Sequence, residues 1–308
     1  DGIRVETYHG IEARCLQNAH DLAALKRDLV SAEEISVAVS SVDDYVTNSP
    51  NSLHVLLADA ILEKMNIGAA KSLIYSSENH NDAASLLEKA ILSALPAGDK
   101  SKALEFFQTV DTVIGKMSRV IFDRDEINLA GLTTYSPDGT QAFLVEAFNK
   151  ILISEVDLNR TTGRGISQLV EKTDLMPFEH AKIHGHNATH AGFAYVGSVL
   201  ELEWMADVAA VPEIRTFLRD AFLEESGEAL VKLHGGKDPL FSKEGYQNYV
   251  DDLLERMANP WLRDTCARIG RDVVRKLGWD DRLIDITRSL DLVQFRFFGQ
   301  EVARWPSG

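Results

Sequence analysis

The sequence predicts two architectures in series: an α/β half built on a parallel sheet, then an all-helical half. Two observations carry this. Up to about residue 150, short apolar runs alternate with segments of helical periodicity. Beyond Asn159–Ser167, a polar Gly-containing stretch, almost every segment repeats its apolar residues at i, i+3 and i+4. The expected division is therefore 1–160 and 161–308.

The elements follow in order. Residues 2–15 read as strand, with Ile3, Val5, Ile11 and Ala13 apolar and charges between them. His20–Leu29 is helical in period. Ile35–Ser40 is a short apolar run of the kind buried in a parallel sheet. Ser49-Pro50-Asn51 opens a helix that carries Leu53, Leu56, Leu57, Ala60, Ile61 and Met65 on one face. Lys71–Ser76 is the next strand. Asn81 or Asp82 caps a helix with Ala84, Leu87, Ala90, Ile91 and Ala94, stopped before Pro96. Val110–Ile114 and Phe143–Phe148 are further strand candidates. In the second half, Ile214–Leu233 ends at Gly235-Gly236, Tyr246–Met257 is broken by Asn259-Pro260, and Trp261–Leu277 stops at Gly278.

Composition narrows the function classes. The formal net charge of -15 argues against nucleic acid or an anionic membrane surface as a general partner, though a local basic patch still suits a small phosphate. No apolar run reaches the roughly 18 residues of a membrane span, and the start has no signal-peptide pattern. Two cysteines, Cys15 and Cys266, suit a reducing cytoplasm.

Residues 178–197 concentrate the chemistry. On a helical wheel with Lys182 at zero, His186 falls at about 40°, Glu179 at about 60°, His190 at about 80° and Asn187 at about 140°, at about 100° per residue. An amine, a carboxylate, an amide and two imidazoles thus share one side of a helix. Ala181, Gly185, Ala188, Ala191, Gly192 and Ala194 let other backbone approach it. His184, at about 200°, points elsewhere. Three readings stand side by side: ordinary core or surface histidines; zinc held by the i,i+4 pairs His180/His184 and His186/His190; and a buried polar site. The two pairs face different sides, and no His-Glu-x-x-His is present.

Lys182-x4-Asn187-x2-His190, with Glu179 upstream, resembles the signature of the polyol-specific long-chain dehydrogenases. Flanking blocks agree. Ser77-Glu78-Asn79 after a strand stands where the family has Cys-Glu-Asn, and Val145-Glu146-Ala147-Phe148 where it has Val-Glu-x-Phe. Val110-Asp111 with Ser118-Arg119-Val120-Ile121 follows the family's Val-Asp segments, with Ser118 replacing an Asp. Phe222–Gly227, Arg256–Pro260, Arg268-Ile269-Gly270-Arg271-Asp272, Arg275-Lys276-Leu277 and Asp281–Ile284 resemble the mannitol-1-phosphate branch. The resemblance runs from about Ile35 to Arg288.

The resemblance implies a Rossmann-like sheet domain joined to a helical substrate domain, with the site in a cleft between them. It implies NAD-dependent (or NADP-dependent) oxidation of a hexitol or hexitol phosphate, without a metal. Lys182 is the implied general base, Asn79 and Asn187 donate to the developing alkoxide, His190 orients the hydroxyl and Glu179 relays the proton. His186, Arg268, Arg271, Arg275 and Lys276 are candidate substrate contacts, the last four for a phosphate; pairing with Asp264 and Asp272 on the surface is the alternative. Ser40, Ser41 and Asn79 are candidate cofactor contacts. No Gly-x-Gly-x-x-Gly turn follows a strand here; Gly163-x-Gly165 has no strand before it. The expectation is that the first strand-helix unit was trimmed. A silent sugar-phosphate-binding relative and a zinc hydrolase are the competing classes, and the expected assembly is a monomer or weak dimer.

Overall fold

The computed structural model describes residue 4 and residues 10–134, 140–157, 165–278, 281–284, 295–297 and 300–302. The chain forms two compact units interleaved in sequence. Residues 10–116 with Phe148–Met176 make a sheet unit; Met117–Ala147 with the described residues from Pro177 onward make a helical unit. The strands of both are β1 Glu34–Val37, β2 Ser72–Ser76, β3 Phe107–Ile114, β4 Ser118–Ile121, β5 Ala142–Val145, β6 Ile151–Ser154 and β7 Leu169–Lys172.

The sheet runs β1-β2-β3-β6-β7. β1, β2 and β3 are parallel, with Glu34 opposite Leu73 and Ser72 opposite Phe107. β6 reverses against β3, and β7 runs parallel to β6. All of β2 is buried, as a central strand covered on both faces requires. Its side chains alternate accordingly. Ile74 enters a core with Val37, Leu57, Ile61, Leu87, Ile91 and Phe107, while Leu73 and Tyr75 pack with Val110 and Ile153.

The helices of this unit are α1 Ala19–Ser31, α2 Leu53–Ile67 and α3 Ala83–Ala94. Asn18 caps α1 by accepting from the N–H groups of His20 and Asp21. The Asp111 carboxylate on β3 accepts from the Ala84 N–H at 2.9 Å, fixing the start of α3 from outside the helix. Lys64, 1 % exposed, donates to the carbonyls of Ala32 and Ala70, both at 3.0 Å. It thereby satisfies orphan acceptors at two helix ends.

Four expectations change. Residues 10–15 are irregular, and most of 2–9 lie outside the described residues. The strand expected at Phe143–Phe148 is β5, which pairs antiparallel with β4 as a separate ribbon in the helical unit. The divide expected at 160/161 falls between β6 and β7, adjacent strands of one sheet. Trp261–Leu277 is not one helix: Pro260–Leu262, Cys266–Gly270 and Val273–Lys276 are separate turns. Left-handed backbone at Arg263 (φ 50°) and Asp272 (φ 60°) makes the breaks, and a periodicity argument does not register such single residues.

In the helical unit, Met176–Val199 is one continuous helix whose central residues, Ala181–Asn187, wind as a π-helix. Pro212–His234 repeats the pattern, with a π segment at Ala221–Gly227. Lys243–Met257 is regular, capped by the Ser242 hydroxyl accepting from the Gly245 N–H. The small-residue stripe does what its composition suggests. A Cβ on Gly197 would lie 2.5 Å from Cys266 Sγ, so only glycine admits the neighbouring turn there. The β4–β5 ribbon is tied to Lys243–Met257 by an ion pair, in which Arg256 Nε and Nη2 donate to the two Glu146 carboxylate oxygens at 2.8 and 2.6 Å. Glu146 also accepts from the Met117 N–H at 2.6 Å. No described helix is long and apolar enough to cross a membrane.

Candidate functional site

The π winding alters the wheel argument, and it does so in favour of the motif. In α register, residues five apart differ by about 140°. In π register the N–H of residue i+5 bonds back to the carbonyl of residue i, so residues five apart come much nearer to superposition. Lys182 and Asn187 are five apart and both lie within the π segment. The spacing Lys-x4-Asn, awkward on a uniform α-helix, thus sets the amine and the amide on one side of this one.

Lys182 keeps partial access to solvent, yet enough protein surrounds its ammonium to pull its pKa down to about 8. Desolvation is the main cause; the Glu179 carboxylate opposes it and the Arg282 guanidinium adds to it. His186 is buried, and its pKa falls well below the ordinary imidazole value through desolvation, then the charges of His190, Arg256 and Lys182. His190 is lowered to about 3 by desolvation, then by Arg268, Lys276 and Arg282. The two rings lie 5.9 Å apart, and both imidazoles are neutral at pH 7. A neutral imidazole offers one donor and one acceptor, which suits a hydroxyl ligand.

The expected cationic contacts separate into two groups. Arg268 and Lys276 join the electrostatic surroundings of His190. Arg268 is held by both carboxylate oxygens of Asp264, and buried Lys276 donates to the Ile269 carbonyl. Arg271 and Arg275 are exposed; Arg275 pairs with Asp281 at 3.0 Å. The break at Asp272 is why the four do not form one helical stripe. Sequence reasoning missed Arg282 as a site residue. It is buried, donates to Asp281 at 2.7 Å, and acts on both Lys182 and His190. The block Asp281–Ile284 was visible in the sequence, but no periodicity assigned it to the site.

His180 and His184 form a different group from His186 and His190. His180 Nδ1 lies 3.1 Å from His234 Nε2, and the His180 and His184 rings are 5.7 Å apart. Among the described residues no group of three or more His, Cys, Asp or Glu is arranged to hold a metal ion.

The candidate cofactor residues lie in the sheet unit, at the carboxyl ends of β1 and β2. Ser40 and Asn79 are exposed. The Ser41 hydroxyl accepts from the Asp43 N–H as a helix cap. The buried Glu78 carboxylate takes the Val39 N–H at 2.9 Å and the Tyr45 hydroxyl. A pyrophosphate needs free backbone amides. Here the Val39 amide is already taken by a carboxylate and Ser41 is spent on a cap. These residues alone do not fit a dinucleotide's phosphates, although the strand ends are the right place for its other parts.

Comparison with known proteins agrees with the resemblance. Residues 174–295 match the family model "Mannitol dehydrogenase C-terminal domain". Mannitol-1-phosphate 5-dehydrogenase of Buchnera aphidicola subsp. Acyrthosiphon pisum (strain APS) is 27% identical over 258 residues, 81% of this chain and 61% of the relative; the strain Tuc7 protein gives the same figures. The chain therefore spans about three-fifths of the length of these curated relatives. The fold is similar to that of Pseudomonas fluorescens mannitol 2-dehydrogenase, solved in ternary complex with NAD and D-mannitol, at TM-score 0.59 and 15% identity, covering 80% of this chain and 54% of that one. It is also similar to a D-sorbitol dehydrogenase in substrate-free form, at TM-score 0.65 and 15% identity over 83% and 56%. The architecture, a Rossmann-like sheet unit with a helical unit, is the fold of these solved structures, and residues 174–295 are similar to the mannitol dehydrogenase C-terminal domain.

Proposed function

We propose that the chain is the greater part of an NAD-dependent polyol dehydrogenase, acting on a hexitol phosphate and returning a ketose phosphate. The carrying observation is Lys182: an amine with a pKa of about 8, in the same π segment as Asn187, whose charge reaches the neutral His186 imidazole, itself 5.9 Å from the neutral His190 ring. General-base catalysis at neutral pH needs a base poised in that range. A bound nicotinamide would supply the hydride acceptor for the carbinol hydrogen. Lys182 takes the hydroxyl proton and becomes an ammonium, and Glu179, in this reading, passes that proton toward solvent. Asn187 donates to the alkoxide as charge develops on it. His190 holds the hydroxyl. The cations around His190 favour a substrate with an anionic end. The relatives named as mannitol-1-phosphate 5-dehydrogenases support the same choice.

The test is turnover with NAD, comparing mannitol 1-phosphate with free mannitol and sorbitol, in a chain that includes any encoded residues upstream of Asp1. The expected result is a preference for the phosphate. Equal use of free hexitols removes the phosphate assignment.

The occupied edge at Glu78 and Ser41 favours a second reading, a sugar-phosphate-binding relative without catalysis. Titration with NADH, followed by nicotinamide fluorescence, separates the two: binding supports the dehydrogenase, and none supports the silent relative.

A further inference from the structure

The two π segments face one another. A Cβ added to Gly185, in the first, would lie 2.9 Å from the Tyr246 hydroxyl and closer still to the Phe222 ring, in the second. A Cβ on Gly227, also in the second, would come 2.9 Å from the Tyr246 ring. Tyr246 is therefore wedged between both π turns with no exposure. Phe222, Tyr246 and Tyr249 close the group edge to face, with centroids 6.0, 6.0 and 5.5 Å apart. Such pairs contribute about 0.5–1.5 kcal/mol each beyond their burial. Tyr249 also points its hydroxyl at the Ala181 carbonyl, 3.4 Å away, in the residue before Lys182. A π turn is uncommon and persists only where its surroundings favour it over the α register.

We infer that Gly185 is a positioning residue for Lys182: its missing side chain admits Phe222 and Tyr246, and that packing holds the backbone in the register that sets Lys182 and Asn187 on one side. The inference rests on the proposed role of Lys182, but it is a statement about geometry and can be read without turnover. Gly185→Ala puts a methyl where Phe222 stands. Either the ring retreats or the turn relaxes, and Lys182 moves with it. Phe222→Leu in the same chain makes room and restores the packing.

The experiment measures the pH dependence of reductive methylation of Lys182 by formaldehyde and borane, read by peptide mass. The rate follows the neutral amine. In the wild-type protein the midpoint is expected near 8. In Gly185→Ala it moves toward the ordinary lysine range and turnover falls by about 10²-fold, the scale of a misplacement near 1 Å. In Gly185→Ala/Phe222→Leu both recover. A Gly185→Ala protein with an unchanged Lys182 midpoint overturns the inference, whether or not its turnover falls. If Gly185→Ala alone does not fold, the double variant decides: a wild-type midpoint supports positioning, and a shifted one overturns it. If the wild-type protein oxidises no polyol, the proposed function fails, while the labelling comparison still decides the role of Gly185.

Discussion

Two lysines, one in each unit, show what burial does to an amine. Lys64 in the sheet unit is almost wholly inaccessible, and desolvation lowers its pKa. Its ammonium is met by two backbone carbonyls at 3.0 Å, at the end of α1 and after α2. Lys182 in the helical unit is less buried by surface, yet it is the one brought to about 8. The difference lies in what faces each amine. Carbonyl acceptors stabilise the charged form of Lys64 and make it a structural strut. Around Lys182 burial is again the leading cause, opposed by the Glu179 carboxylate and reinforced by the Arg282 guanidinium, and the neutral His186 imidazole is near enough to feel its charge. A depressed pKa marks a reactive group only where the surroundings leave the neutral amine something to do.

Substitutions at the two lysines test that contrast. Lys182→Ala, in a chain that binds cofactor, is expected to lose about 10²–10⁴ in turnover, the range of a general base. Its stability at pH 7 is expected to hold or rise. The folded pKa, about 8, lies below the ordinary 10.5, so the unfolded chain binds more protons between those values. The protonated lysine therefore penalises the fold fully below pH 8, and the penalty lifts as pH rises through the window. Denaturant titration at pH 7 checks the sign. Breaking the Glu146 pair with Arg256→Ala leaves a buried carboxylate, at a cost of about 3–5 kcal/mol by the same titration. Lys64→Met should show the mirror image of Lys182→Ala: about 1–3 kcal/mol lost by stranding carbonyls, with turnover per folded molecule unchanged. Loss of turnover in Lys64→Met without loss of stability would dissolve the distinction.

Much of this was legible in the sequence, for a physical reason. Parallel strands buried on both faces and helices with one apolar stripe must show their period, so β1, β2, α2 and α3 fall within a few residues of their expected places. The Lys182–Asn187–His190 motif could also be found. Its geometry could not, because a wheel assumes one residue angle throughout, and Ala181–Asn187 adopts another. Whether a segment takes π register depends on the shape of its neighbours, here Phe222 and Tyr246, roughly forty and sixty residues away in the chain. The reversal of β6 against β3 was equally hidden, since a buried strand reads the same in either direction. Arg282 follows the break at Asp272 and carries no periodic signal.

The smallest expected effects discriminate best. Oxidation of an alcohol needs the neutral amine, so turnover should rise with pH through an apparent pKa near 8. The reverse reduction needs the ammonium and should fall through the same value. His190, lowered to about 3, adds no limb of its own between pH 5 and 9. Two substitutions should then move the single limb in opposite directions. The Glu179 carboxylate raises the Lys182 pKa, so Glu179→Gln shifts the limb to lower pH. The Arg282 guanidinium lowers it, so Arg282→Met shifts the limb to higher pH. Added salt screens these charges only weakly because the groups are largely enclosed, so the two displacements should survive at high ionic strength. A neutral surface lysine exchange would move neither, and a general loss of stability would move both the same way. Displacement in one direction for both variants, with their stability unchanged, would mean that the titrating group is not Lys182.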